Sequence, residues 1–263
     1  MLASQAIALV AHDPYGLDSI LEEAVVPTIL KAIEDSSIEV RESIYECISD
    51  LSRTTAGAMA CVEAGASEIL PQLLNQEQDV IKPLLLKSIH NMSSLAKGLE
   101  DALKHHTVKL CIEYLNSSLD TLHIEAAKTL GFLCFSDRGK ELAVEGGAVH
   151  QLMGLISRMR ENEGVLSSAS LALMAITSTD EGKRQMTTVI NAVDVIVYLI
   201  KSPLKVICLN GLKIISNIAV HPALRNQLRK HEDCLPVLQS LLQSDSFTQK
   251  HAKIAYDAVM WKP

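Results

Sequence analysis

The sequence is poor in aromatic residues. Phe, Trp and Tyr make up 3% of 263 residues, with one Trp and three Phe. A compact single-core domain of this length would use more large aromatic anchors. Leu, Ile, Val and Ala dominate the 48% hydrophobic fraction instead, which is the material of thin helix-on-helix layers. A basic block is also missing. The formal net charge is -7, and both signs are spread along the chain. Phosphate backbones select clustered Lys and Arg, so a nucleic-acid partner is not expected. No run approaches the ~20 uninterrupted apolar residues of a membrane span, and the longest candidate, 193–200, is broken by Asp194. The first residues, MLASQAIALVAHDPYG, lack the basic start of a signal peptide and are not read as one. None of the six cysteines forms a C-x-x-C pair. Cys47, Cys61, Cys111, Cys134, Cys208 and Cys234 all fall in apolar helical patterns, so buried reduced thiols of an intracellular protein are expected. On that reading the N-x-S sequons at Asn91 and Asn116 carry no meaning.

Catalytic signatures are equally scarce. Gly139-Lys140 and Gly182-Lys183 lack the upstream Gly and the following Ser or Thr of a phosphate-binding loop, and read as helix starts. No H-E-x-x-H, G-x-S-x-G or calcium-binding loop occurs. His105-His106 with Cys111, His231 with Cys234, and His123 give only pairs, whereas zinc needs three or four converging ligands. The expectation is a protein that is not an enzyme, with no cofactor, no metal and no small-molecule substrate.

Periodicity is what the sequence does have. Apolar residues near the end of each long helical pattern, Leu51, Met92, Leu133, Ile176, Ile218 and Val259, follow at intervals of 41, 41, 43, 42 and 41. A second series from the preceding shorter helix, Ile33, Leu73, Tyr114, Leu155, Leu199 and Leu241, is spaced 40, 41, 41, 44 and 42. A period near 42 lies in the ~40–47 residue range of HEAT and armadillo units. Within a period, a short segment led by Gly and a charge (RGKELAVEGG, EGKRQMTTVI) precedes a second helix (VDVIVYLIKS). A polar break such as EDSS or NSSLD follows, and then a long third helix. On the third helix Ile44, Ile48 and Leu51, or Ala126, Leu130 and Leu133, share one face.

Three helices per unit favour armadillo over HEAT. The expected architecture is all-α, a right-handed α-solenoid of about six three-helix armadillo repeats. Gly146-Gly147 and Ala64-Gly65 suit a sharp turn between helices one and two, where glycine tolerates positive φ. Pro203 and Pro222 suit first helical turns, and Pro83 is expected to start or kink a third helix. Residues 1–263 are expected to form one domain, with units near 14–54, 55–96, 97–137, 138–179, 180–221 and 222–263. Residues 1–13 form a helical N-terminal cap, and Tyr256 and Trp261 close the last layer.

Third helices of this architecture line a groove. Residues five and one before each anchor share a face: Glu46 and Asp50, Lys87 and Asn91, Lys128 and Phe132, Leu171 and Ala175, Lys213 and Asn217, Ile254 and Ala258. Asn can serve both N–H and C=O of an extended backbone, and Lys can meet an acidic side chain. Lys87, Asn91, Lys128, Lys213 and Asn217 are therefore the candidate partner-binding residues.

The three-helix period, the G-K helix starts and K-x-x-x-N on third helices resemble the armadillo superfamily. Importin-alpha-like receptors carry Trp and Asn four apart on these helices. Lys stands at the Trp position at 87, 128 and 213, closer to the catenin manner of holding acidic peptides. The stretch EGKRQMTTVINAVDVIVYLIKSPLKVICLNGLKIISNIAVHPALRNQLRKH, together with the final Trp261-Lys262-Pro263, resembles the radial spoke head 14 homologue family of ciliary and flagellar axonemes. That resemblance implies a structural, protein-binding subunit of the radial spoke, with other spoke subunits as partners. It implies residence in the cytoplasm, cytoskeleton and cilium or flagellum. The alternative is a soluble armadillo adaptor or transport receptor that binds extended acidic peptides.

Overall fold

The computed structural model describes residues 2–262, and all of its regular structure is helical. Met1 and Pro263, which belong to the expected cap and to the aromatic-Lys-Pro ending, lie outside the described residues. Nineteen α-helices are present among the described residues. Helix α1 (Leu2–His12) stands alone, and the other eighteen fall into groups of three. The first group is α2 (Pro14–Glu22), α3 (Val26–Lys31, extended by a 3-10 turn, Ala32–Glu34) and α4 (Ile38–Leu51). Next come α5 (Thr55–Glu63), α6 (Ala66–Leu73) and α7 (Lys82–Met92), then α8 (Ala96–Lys104), α9 (Thr107–Tyr114) and α10 (Asp120–Leu133). The fourth group is α11 (Asp137–Glu145), α12 (Ala148–Arg158) and α13 (Glu163–Ile176). The fifth is α14 (Asp180–Met186), α15 (Ala192–Ile200) and α16 (Lys205–Ile218). The sixth is α17 (Pro222–Lys230), α18 (Cys234–Leu241) and α19 (Ser246–Met260).

The chain clusters into two compact units that part between Leu133 and Cys134. In the first, α1 packs on α4, α4 on α7 and α7 on α10, so the third helices stack with α1 as the outermost of the row. In the second, α13 packs on α16 and α16 on α19. All six anchors of the long-helix series lie in these stacks, and Leu51, Leu133, Ile176, Ile218 and Val259 are fully buried. Each such side chain contributes about 1.5–3 kcal/mol on leaving water. The second series slips by one residue in its second member, where Leu74 is fully buried and Leu73 only half-buried.

Each three-helix group is shaped by two local devices. The first sits at the start of helix one. Asp13, Thr54, Ser136 and Thr179 are N-caps with extended backbone, and each side-chain oxygen accepts from the N–H of a glycine three residues on, at 3.0 Å. These glycines are Gly16, Gly57, Gly139 and Gly182. A Cβ on Gly57 would stand 1.9 Å from the carbonyl oxygen of Leu51, the last residue of the preceding third helix. A Cβ on Gly182, read as a helix start, would likewise stand 2.2 Å from the Ile176 carbonyl oxygen, so helix one begins there pressed against the end of the helix before it.

The second device is the corner between helices one and two. Gly65 (φ 91°) and Gly147 (φ 72°) turn it in the left-handed region, as expected. The same corner is turned by Ala24 (φ 51°), His106 (φ 60°) and Asn191 (φ 57°), where an L side chain bears the strain. His106 thus holds a turn position.

Two expectations need correction. Pro222 and Pro83 do lie in first turns, but Pro203 lies outside α16, which starts at Lys205. The Ser202 hydroxyl accepts from Leu204 N–H and shapes an extended entry that leaves Pro203 in the connection. Trp261 does not close a layer by burial. It is 55% exposed, stacks on the Arg225 guanidinium at 4.8 Å, and its carbonyl accepts from Arg229. All six cysteines are buried and free, and burial pushes the Cys47, Cys61 and Cys134 thiols up to about 12.

Candidate functional site

The expected ladder residues occupy the third helices, and all five are half-buried. Lys87 and Asn91 are on α7, Lys128 is on α10, and Lys213 and Asn217 are on α16. The first three belong to one compact unit and the last two to the other, so the structure presents two short sets.

The asparagines have work inside the fold. Asn91 Nδ2 donates to Ser52 Oγ at 3.1 Å and to the Ser49 carbonyl at 3.4 Å, both at the end of α4. Asn217 Nδ2 does the same one stack along in the other unit, to Thr177 Oγ1 and the Met174 carbonyl, each at 3.2 Å. The amide satisfies carbonyls that a helix end leaves without partners. Asn91→Ala and Asn217→Ala are each expected to lower stability by about 1 kcal/mol, the net worth of a typical hydrogen bond, in urea unfolding. Sequence spacing could show that these residues share a face. It could not show that their partners lie 39 to 43 residues earlier.

Lys128 lies 3.7 Å from Glu125 on its own helix, and the electrostatic neighbourhood of Lys213 includes His251 of α19. Beside Lys128, the His90 ring meets Phe132 edge-on at 4.7 Å. Burial and, second, the Lys128 charge push His90 down to about 4. Its folded value lies below its unfolded one, so the unfolded chain binds the extra proton. Stability is therefore expected to fall as pH drops from about 6.5 toward about 4, by up to about 1.4 kcal/mol per pH unit from this group. Denaturant midpoints of His90→Phe across that range should show a shallower dependence than those of the parent chain.

Lys87 opens onto a groove in the first unit. The groove, of about 800 Å³, runs between α1, α4 and α7. From α4 it is lined by Glu39, Glu42, Glu46, Ser49 and Asp50, with Arg53 just beyond its end, Leu9 and His12 from α1, and Leu84 and Lys87 from α7. Asp50 meets His12 Nδ1 at 3.0 Å and Arg53 at 3.3 Å, and Glu39 accepts from Ser37 Oγ at 2.7 Å. That bond to Ser37 holds the Glu39 carboxyl below the usual range. Here the groove carries more than the expected lysine, because α4 adds four carboxylates to the lining it shares with Lys87. The signal was present in the sequence. Glu46 and Asp50 stand at the ladder positions of the first repeat, and Glu39 and Glu42 continue the same face at helical spacing.

The histidine groupings do not converge. His105 lies 4.0 Å from Glu68, and His231 Nε2 lies 3.1 Å from Asp194. Among the described residues no group of three or more metal-capable side chains comes together, and no helix is long and apolar enough to cross a membrane.

No family model matches the sequence, and no curated protein matches it. Solved structures do. An engineered protein matches 99% of this chain at a TM-score of 0.85 and 23% identity, and the chain spans 64% of its length. A designed armadillo repeat protein in complex with the peptide (KR)4 matches 89% of this chain and 99% of its own, at a TM-score of 0.75 and 19% identity. Computationally designed armadillo repeat proteins for modular peptide recognition match over the same shares, also at 0.75 and 19%. At this level of identity the likeness is one of fold: the chain is an all-α solenoid of about six three-helix armadillo-type repeats.

Proposed function

We propose that this chain is a non-catalytic scaffold that binds other proteins through the face of its stacked third helices. The observation that carries the reading is the groove at α1, α4 and α7, an open, charged cleft of about 800 Å³ on stacked helices. Its α4 wall is polar and charged, and Ala8, Leu9 and Leu84 add apolar surface from α1 and α7. Support comes from a designed protein of the same fold that was solved with a peptide, (KR)4, bound. Lys87, Asn91 and Lys128 in one unit, and Lys213 and Asn217 in the other, are the residues proposed to meet partners. Cross-linking of the purified chain to its partners, followed by mass spectrometry, should place the cross-links on α4, α7, α10 and α16. Links confined to the first and second helices would remove this surface from the proposal.

The narrower form of the proposal is a subunit of the radial spoke in ciliary and flagellar axonemes. It rests on the resemblance of residues 181–231 to the radial spoke head 14 homologue family. A tagged copy should then co-sediment with detergent-extracted axonemes, and its spoke neighbours should stay attached. A diffuse cytosolic or nuclear pattern, with none on cilia or flagella, counts decisively against the spoke and leaves a soluble adaptor.

A further inference from the structure

The groove between α1, α4 and α7 has a charge of definite sign. Four carboxylates, Glu39, Glu42, Glu46 and Asp50, face two permanent cations, Arg53 and Lys87. Asp50 is already held by Arg53 and His12, and Glu39 by Ser37. Glu42 and Glu46 have no cationic partner among the described residues and are exposed one helical turn apart. Carboxylates focused in a cleft with apolar walls attract cations more strongly than the same charges on an open surface.

A second observation is independent of charge. Ser49 lines the groove and is only 1% exposed, yet its hydroxyl has no hydrogen-bond partner. A buried hydroxyl is rarely left so, because the unmade bond costs free energy that a ligand group can restore. At the rim, Leu9 is 74% exposed and Leu84 half-buried, which offers apolar surface to the methylene stems of long side chains.

We propose that this groove receives a Lys- and Arg-rich segment of a partner protein. Its cations meet Glu42 and Glu46, its stems lie on Leu9 and Leu84, and a backbone group bonds the Ser49 hydroxyl. This rests on the protein-binding reading above and narrows it to the chemistry of the partner.

The test uses the whole chain and two labelled octapeptides, one of alternating Lys and Arg and one of Glu, followed by fluorescence anisotropy. The basic peptide is expected to bind, and to bind more weakly as salt shortens the reach of the exposed carboxylates. Glu42→Gln with Glu46→Gln is expected to weaken it roughly tenfold, about 1.4 kcal/mol. Ser49→Ala should weaken it by a few-fold. Glu141→Gln with Glu145→Gln makes the same change of net charge on exposed residues of α11, and should leave binding within about twofold. Thermal melts of each variant verify folding. Equal binding by the Glu42/Glu46 and Glu141/Glu145 variants overturns the inference, since attraction would then be to net charge alone. Binding of the Glu peptide in place of the basic one also overturns it, while the scaffold reading stands. Cross-links absent from all third helices would bring down the scaffold reading separately.

Discussion

Gly57→Ala is expected to destabilise the chain by more than about 3 kcal/mol, seen as a lower urea midpoint. The added Cβ would lie 1.9 Å from the Leu51 carbonyl oxygen and 2.7 Å from its carbon. Both are backbone atoms at the end of α4, so no side-chain rotation relieves the clash. Overpacking usually costs about 1–3 kcal/mol when side chains can yield, and here the helix junction itself must move. Thr54 would also lose the placement that lets its hydroxyl cap α5. Gly182→Ala presents the same geometry against Ile176 at 2.2 Å and should behave alike in the other unit. Gly154→Ala is the control. It lies inside α12, where the new Cβ meets only the far end of Arg158 at 3.2 Å. There alanine's helix preference should stabilise by about 0.5–1 kcal/mol.

Glu77→Ala is expected to cost about 3–5 kcal/mol, the range for removing one partner from a buried ion pair. Glu77 is 9% exposed in the connection between α6 and α7. Its carboxylate accepts from Arg41 Nε at 2.8 Å and Nη2 at 3.1 Å, and from the fully buried Tyr45 hydroxyl at 2.8 Å. Truncation strands both donors. The hydrogen bonds from Arg41 hold the Glu77 carboxyl below its usual value, so its contribution is present above the unfolded value near 4.5 and is lost as pH falls further. Acid unfolding of the parent chain should therefore steepen below about pH 4.5. That component should vanish in Glu77→Leu, which fills the space and strands Tyr45 alike. A Glu77→Ala chain that unfolds at the parent's midpoint would show that the connection carries no weight in the first unit.

Much of the architecture was legible because it repeats. Leu51, Met92, Leu133 and Ile176 are buried for the same reason every 41 to 43 residues, and a one-dimensional sequence records a period faithfully. The corner glycines were legible because Gly65 and Gly147 announce positive φ, whereas Ala24, His106 and Asn191 do the same work in residues that announce nothing. The candidate groove was less legible. The face shared by Glu46 and Asp50 followed from helical spacing, but its enclosure by α1 and α7 depends on how three helices pack. Sequence spacing offered Lys87 as a cation for an acidic ligand, and only packing shows that it shares its groove with the α4 carboxylates. The asparagines looked free because their acceptors are helix-terminal carbonyls one repeat earlier. Local pattern names the face a residue is on, and only packing names its neighbours.

The buried thiols have a practical corollary. Cys47, Cys61 and Cys111 lie in the first compact unit, and Cys134, Cys208 and Cys234 in the second. A thiol reagent reacts with thiolate, which these side chains yield only after they reach water. The rate at which each cysteine is modified therefore clocks the opening of the layer that covers it. Peptide mapping of the modified chain would separate three reporters in each half and reveal which half breathes first, with no engineered label.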